Sequence, residues 1–481
     1  MVATRAPRTL RYEQLAEHMT AMIERGALRP GDRLPSVREL ARQQRVSVST
    51  VLESYQLLEN RGLVEVRPQS GHYVRARRTI QLLEPRASVR RSLAAVKVSV
   101  SDLVAEVSHA MTDPDVVPLG AAVLSADFLP TEKINRMAAL LARDAGAVGV
   151  SYPPAAGYPR LRRAIARRSI DWGCALGPDD FVITLGCMEA LHLCLRAVTR
   201  AGDAIAVETP TFYGLLQLFE FLELKVCEVP AHPRTGMDLE QLEATIKAGP
   251  VKACVVTSNF NNPLGTLMPD EHKERLVALL ARHEIPLVDD DIYGDLSHDG
   301  SRPRPAKAFD KKGLVMLCGS VSKTIAPGYR VGWVAPGRWR ERVERLKFAH
   351  TVASPALPQM AIAEYLDNGG YDHHLRQLRR RLAANVQCFT DAVAEHFPAG
   401  TRVSRPQGGF VLWIELPAGQ QATDLYAAAL DEGICIAPGP IFSAKPRFPA
   451  CIRLNCGHLW SPQMERSIRT LGRLACERIA A

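Results

Sequence analysis

No apolar run in the 481 residues approaches the length needed to span a bilayer, and Met1–Leu10 carries arginine and proline but no hydrophobic segment. A cytoplasmic protein is expected on that ground. The eleven cysteines include no CxxC pair, no histidine stands at metal-ligand spacing from them, and the closest two are Cys451 and Cys456. An odd count scattered through apolar stretches (Cys187, Cys194, Cys254, Cys318) reads as reduced, mostly buried thiols and argues against zinc or any other metal. Internal repeats and low-complexity tracts are also missing, which leaves repeat architectures out.

What is present is 47% hydrophobic and 23% charged residues, the balance of a globular chain. Its length suits about three domains, or fewer if one is a large α/β unit. The net charge of +9 is unevenly placed, because residues 1–78 hold 14 Arg against 8 Asp plus Glu. A basic surface is therefore expected at the N-terminal end, where it serves either a partner or only the solvent.

Three short helices are expected there. Leu10, Leu15, Met19, Met22 and Ile23 recur at helical spacing up to Gly26; Ser36 with Glu39 forms a capping box after Pro35 for a helix to about Gln44; a third runs from Ser47 through Val51, Tyr55 and Leu58 to Arg61 and Gly62. Two short strands, Leu63–Arg67 and His72–Arg75, follow through Pro68-Gln69-Ser70-Gly71. The pattern is a helix-turn-helix with a wing.

The segment Arg29-Pro30-Gly31-Asp32-Arg33-Leu34-Pro35-Ser36-Val37-Arg38-Glu39-Leu40-Ala41 resembles the signature of GntR-type winged helix-turn-helix domains. That resemblance covers residues 9–76 and implies that Arg38, the start of the recognition helix (Ser47, Ser49, Thr50) and the wing (Gly71, His72) meet DNA. Many GntR relatives carry a basic residue where Glu53 stands. Since Glu53 cannot bind phosphate, the position either faces the interior or accepts from a cytosine amino group.

Residues 77–112 read as a linker with basic residues (Arg77, Arg78, Arg86, Arg90, Arg91) and a short helical run, Val100 to Met111, serving as a tether. Beyond it, apolar runs alternate with helical stretches: Phe181–Leu185, Ala204–Val207, Cys254–Thr257, Pro286–Val288, Leu314–Cys318 and Val331–Val334. This predicts an α/β fold with a mostly parallel sheet buried on both faces, and ligands at the carboxyl ends of its strands.

Polar residues gather at those ends. Ser320-Val321-Ser322-Lys323-Thr324-Ile325-Ala326-Pro327-Gly328-Tyr329-Arg330 sets two hydroxyls, an amine and a guanidinium within reach of one phosphorylated aldehyde, pyridoxal phosphate. Lysine condenses with the aldehyde as a Schiff base, and arginine forks onto phosphate. Gly186-Cys187-Met188 opens a helix whose backbone N–H groups suit phosphate. Asp290 suits a protonated pyridine nitrogen, with Tyr293 one turn on; Asn262 suits the ring phenolate; Phe212 suits the pyridine face. Singly, each is equally an ordinary turn, cap or core residue, and only together do they read as a site.

Their order and spacing are similar to those of fold-type I aminotransferases of the aspartate aminotransferase superfamily over residues 115–481. The resemblance implies a smaller C-terminal α/β subdomain, Lys323 as the Schiff-base lysine, and Asp290 as partner of the ring nitrogen. It further implies Asn262 and Tyr293 at the ring oxygen, and Arg330, Ser320 and Ser322 at the phosphate. Tyr152, in Ser151-Tyr152-Pro153-Pro154, would reach the phosphate of a neighbouring subunit in a homodimer, while Arg453 would bind a substrate carboxylate and Gly120 would line the pocket. Leu264 stands where many relatives have threonine, and Cys187-Met188 replaces a frequent hydroxyl-bearing pair.

Taken together, residues 1–76, 77–112 and 113–481 are expected to form DNA-binding domain, linker and pyridoxal-phosphate domain. The whole chain resembles the MocR group of bacterial regulators. That implies a DNA-binding regulator responsive to pyridoxal phosphate, an amino acid or an amine; a working aminotransferase with an appended DNA-binding domain, and a DNA-bridging protein with a vestigial site, remain as alternatives.

Overall fold

The computed structural model describes residues 11–25, 27–29, 31–60, 62–67, 70–74, 82–88, 93–98 and 101–480. The expected helix stop at Gly26, the wing tip Pro68-Gln69, and Met1–Leu10, Pro30, Arg61, Arg75, Arg77, Arg78, Arg90, Arg91 and Val100 lie outside the described residues. Two compact units form. One joins the described residues up to 74 to Ala384–Phe397 and Leu459–Arg473; the other holds Leu82–Ala383, Pro398–His458 and the residues from Leu474.

In the first unit, helices α1 (Arg11–Glu24), α2 (Val37–Gln44) and α3 (Val48–Asn60) bury Leu15, Met19, Leu40, Val51, Tyr55 and Leu58 against one another. Ser36 Oγ accepts from Glu39 N at 3.3 Å, and Ser47 Oγ accepts from Thr50 N at 3.1 Å, so both starts are capped by the hydroxyls the sequence offers. Between them Arg45 adopts a left-handed conformation (φ 51°) that turns the chain. Strands β1 (Val64–Arg67) and β2 (Gly71–Val74) pair antiparallel with Val64 opposite Val74. Gly31–Leu34 lies along β2 as well, with Gly31 N on Val74 O and Leu34 N on His72 O, each at 2.8 Å. Gly31-Asp32-Arg33-Leu34 is thus an edge of the wing, which periodicity alone did not reveal.

The linker departs from a free tether where it is described. Glu84 pairs with Arg234 at 2.7 Å, and Val96 exchanges backbone hydrogen bonds with Val226 at 2.9 and 2.8 Å, so these stretches lie on the second unit. Helix α4 spans Ser101–Ala110.

The second unit is built on an eight-stranded sheet. After β3 (Val117–Pro118) come α5 (Thr131–Asp144), α6 (Pro159–Asp171), β4 (Val182–Thr184), α7 (Cys187–Val198), β5 (Ala204–Thr209), α8 (Tyr213–Phe221), β6 (Lys225–His232), β7 (Gly236–Met237), β8 (Val251–Val256), β9 (Leu287–Asp290), β10 (Val315–Ser320) and β11 (Gly332–Ala335). Their order across the sheet is β4-β11-β10-β9-β8-β5-β6-β7. β6, β5, β8, β9 and β10 are mutually parallel, and β11 and β7 run the other way. Only eleven residues, 321–331, connect β10 to β11, too few for a right-handed crossover, so the chain returns antiparallel. That return holds the Lys323 loop at the carboxyl end of β10. The central strands are buried on both faces, as continuous apolar runs require.

A four-stranded antiparallel sheet, β12 (Arg402–Val403), β13 (Val411–Glu415), β16 (Cys451–Asn455) and β15 (Ala437–Pro438), forms the smaller subdomain. β14 (Ile434–Cys435) pairs with β3. All eleven cysteines are free thiols, and all but Cys476 are buried. Among the described residues no helix is long and apolar enough to cross a membrane.

Candidate functional site

The carboxyl ends of β4, β9 and β10 converge in the second unit. Lys323 is half-buried, and its Nζ donates to the Ala122 carbonyl at 2.6 Å. Burial first, then the Arg453 charge, pull its amine down to about 8, with Asp290 opposing. An amine so placed is available as a nucleophile or base near neutral pH.

Asp290 ends β9 and is buried. Burial pushes its carboxyl up to about 6, against a hydrogen bond from Cys187, whose Sγ lies 3.1 Å from Oδ1. Asn262 Nδ2 approaches the Tyr293 hydroxyl at 3.5 Å and its Oδ1 accepts from Arg453 Nη1 at 3.1 Å. Desolvation raises the Tyr293 phenol above its ordinary value. Arg453, on β16, is fully buried; Nη2 donates to the Gly120 carbonyl, and Nε has no partner among the described residues. Burial pulls its guanidinium below the usual value, and the Phe442 ring lies 5.3 Å beneath it. A buried guanidinium with an orphan donor is costly unless an anion completes it.

The phosphate-sized corner lies around α7. Gly186 takes φ 82°, ψ −179°, a conformation open essentially to glycine, and a Cβ there would fall 2.3 Å from Arg330 Nη2. Arg330, itself left-handed at φ 52°, donates from Nη1 to Ser322 Oγ at 3.4 Å and from Nη2 to the Leu185 carbonyl at 3.1 Å. Ser320 Oγ accepts from Ser322 N at 3.2 Å. Together with the first-turn N–H groups of α7, these form a positive, glycine-lined hollow. Glu189 stiffens it: its carboxylate accepts from Leu185 N (2.6 Å), from Lys347 Nζ (2.8 Å) and from Thr351 Oγ1 (3.0 Å).

Phe212 precedes α8, half-buried, with its ring 4.8 Å from that of Tyr213. Met188 is 37% exposed and its side chain turns outward, whereas that of Cys187 turns in; the pair does not act together. Tyr152 is 84% exposed and is not drawn into this chain's own pocket. Sequence reasoning missed the Ala122 carbonyl, Phe442, Tyr213 and the Glu189–Lys347 pair. Of these only Tyr213 carried a signal, being next to Phe212, and its phenol acts electrostatically on Arg453.

The donor set fits pyridoxal phosphate: a lysine whose amine is readily uncharged, a buried carboxylate, two partners for a ring oxygen, and a hollow in which a glycine keeps space for an anion.

In the first unit, Ser47, Ser49 and Arg38 are exposed, and Ser47 Oγ lies 2.8 Å from both Ser49 Oγ and Thr50 Oγ1 at the start of α3. Gly71 takes φ 111° beside the Arg33 side chain. His72 is half-buried with its ring 4.6 Å from that of Tyr55, whose hydroxyl donates to the Pro35 carbonyl at 2.7 Å. Glu53 is exposed, which removes the option that it faces the interior.

Residues 115–471 match the model of the aminotransferase class I and II family, and residues 11–74 that of the gntR family of bacterial regulatory proteins. The chain is 39% identical to the HTH-type transcriptional regulator YdcR of Escherichia coli (strain K12), over 98% of this chain and all of that one. Among solved structures it resembles LysN, the α-aminoadipate aminotransferase of Thermus thermophilus, complexed with N-(5'-phosphopyridoxyl)-L-leucine (TM-score 0.72, 26% identity, 80% of this chain and 100% of that one). Pyrococcus horikoshii kynurenine aminotransferase is as similar (TM-score 0.73, 26% identity, 82% and 96%).

Proposed function

The chain belongs to the aminotransferase class I and II family and carries a GntR-type head, the arrangement of the MocR-type regulators, and from that premise we propose that it is a DNA-binding transcriptional regulator responsive to pyridoxal phosphate or an amino compound held with it. Residues 1–76 are the proposed DNA-binding domain, 77–112 the linker and 113–481 the ligand domain of a cytoplasmic homodimer. The observation that carries the ligand half is the buried Arg453, whose Nε is unpartnered among the described residues in the pocket that also holds the Lys323 amine.

When bound, pyridoxal phosphate supplies an aldehyde that takes up an amine and a ring that draws electrons from it. Lys323 would hold it covalently and could take or return a proton at Nζ. Asp290 would pair with the ring nitrogen, Asn262 with Tyr293 would meet the ring oxygen, and Phe212 would cover one face. Arg330, Ser320, Ser322 and the backbone of Gly186, Cys187 and Met188 would hold the phosphate, joined by Tyr152 of a second copy. Arg453, beside Gly120, forks onto the carboxylate of an amino-acid ligand. In the head, Arg38, Ser47, Ser49, Thr50, Gly71 and His72 meet DNA.

Coupling requires that the ligand bind two arrangements of the dimer unequally. A second reading, a working aminotransferase, draws on the same lowered Lys323 amine, which is more than sensing needs. Both are tested by titrating DNA selected from a random pool with apo, pyridoxal-phosphate-loaded and Lys323→Ala protein, beside an amino-acid screen for the pyridoxamine form. Ligand-dependent affinity without turnover supports the regulator. Sustained turnover with ligand-independent DNA binding supports the enzyme.

A further inference from the structure

Cys187 is the first residue of α7, and resemblance alone would put it in the phosphate cup. Its backbone belongs there, but its side chain does not face that way. It is buried and directed across to β9, with Sγ 3.1 Å from Asp290 Oδ1. A carboxylate only accepts, so the thiol is the donor whenever Asp290 is ionised. We propose that Cys187 is a positioning residue for the carboxylate that faces the ring nitrogen: its S–H orients Asp290 and holds it ionised where burial favours the neutral acid. The inference deepens the ligand reading above and rests on it.

Two observations support the role. The groups that act most strongly on Asp290 include Asp291 and the Ile292 N–H in its own loop, Cys187 from α7 and Lys323 from the loop after β10. Asp290 in turn bears on Tyr293 in its own loop, Glu208 of β5 and Cys318 of β10. Of these, Cys187, the Ile292 N–H and Lys323 favour the charged form, and the thiol bond is the largest of the three. Secondly, Gly186, at φ 82°, is the N-cap immediately before Cys187, so residue 187 stands in the first turn of α7 with its Sγ on Asp290. Residue 187 therefore joins the phosphate corner to the ring-nitrogen corner through one side chain.

The test has two arms. In apo protein, the infrared S–H stretch of this thiol is isolated from the other ten as the difference between wild type and Cys187→Ala. Its expected band moves with pH about a midpoint near 6, where Asp290 titrates, and stops responding in Asp290→Asn. In protein loaded with pyridoxal phosphate carrying ¹⁵N in the ring, Cys187→Ala is expected to move the proton from the ring nitrogen toward the carboxylate, by up to about tenfold in that partition. Cys187→Ser, which keeps a donor, is expected to restore most of the wild-type signal. A thiol band indifferent to pH, or a ring-nitrogen signal identical in wild type and Cys187→Ala, overturns the proposal. Failure to take up any cofactor sinks the ligand reading instead, and the infrared arm still decides the pairing.

Discussion

Lys323 is where elementary electrostatics makes the sharpest statement. Burial lowers its amine from 10.5 to about 8, so between those values the folded chain binds fewer protons than the unfolded one, and stability rises with pH across that window. Below about 8 both states are protonated and the full cost of the charge is present. Lys323→Met in the apo protein is therefore expected to raise the denaturation midpoint most near neutral pH. The gain shrinks as pH climbs from 8 toward 10.5, which denaturant titrations at several pH values will read. For Arg453, the expected effect of Arg453→Lys is at least about a tenfold loss of amino-acid affinity, because a point charge does not reproduce the planar fork. Absorbance titration of the loaded protein measures it. The residue types of this pocket were legible because condensation with an aldehyde and a grip on phosphate each call for particular side chains. The second partner of Lys323 was not: Ala122 meets it from a segment far away in sequence, through a carbonyl that every residue possesses, whereas Gly120, which meets Arg453 in the same way, was reached only through the family resemblance.

At the scale of elements, the start of α7 depends on two neighbours. Gly186→Ala forces a Cβ into a backbone region that costs of order 1–3 kcal/mol and into the Arg330 guanidinium, so cofactor affinity is expected to fall about tenfold or more. Equilibrium dialysis against pyridoxal phosphate checks this. The Glu189–Lys347 pair is buried on both sides, and removing one member leaves the other uncompensated. Lys347→Ala is expected to destabilise the second unit by about 3–5 kcal/mol in denaturant unfolding, and the double variant Glu189→Gln, Lys347→Met by less. Strand positions were readable from apolar runs, to within a few residues. Strand direction was not, because only the shortness of the 321–331 connection decides that β11 runs against β10. β6 was overlooked because its Lys225 and Glu228 interrupt the apolar run, and the small antiparallel sheet because its strands are mostly two to five residues long.

For the whole molecule, the GntR and aminotransferase motifs were legible since each is a run of residues with its own geometry, whereas the linker was not. Glu84 and Val96 find their partners on the second unit, and charge composition alone suggested a tether. Tyr152, highly exposed, suits a second copy of the chain, and sedimentation is expected to report a dimer that Tyr152→Ala leaves assembled but weaker in phosphate binding. In the head, Arg38→Ala is expected to weaken DNA binding to all sequences alike and to lower the salt slope of log K by about one, which marks a lost phosphate contact. Binding curves at several salt concentrations distinguish this from a base contact.

The most direct measurement is borohydride reduction of protein equilibrated with pyridoxal phosphate, followed by peptide mapping. The expected result is a phosphopyridoxyl adduct confined to Lys323 and missing in Lys323→Ala. An unmodified Lys323 in the presence of excess cofactor, or label spread over surface lysines, contradicts the ligand site and with it the coupling to DNA.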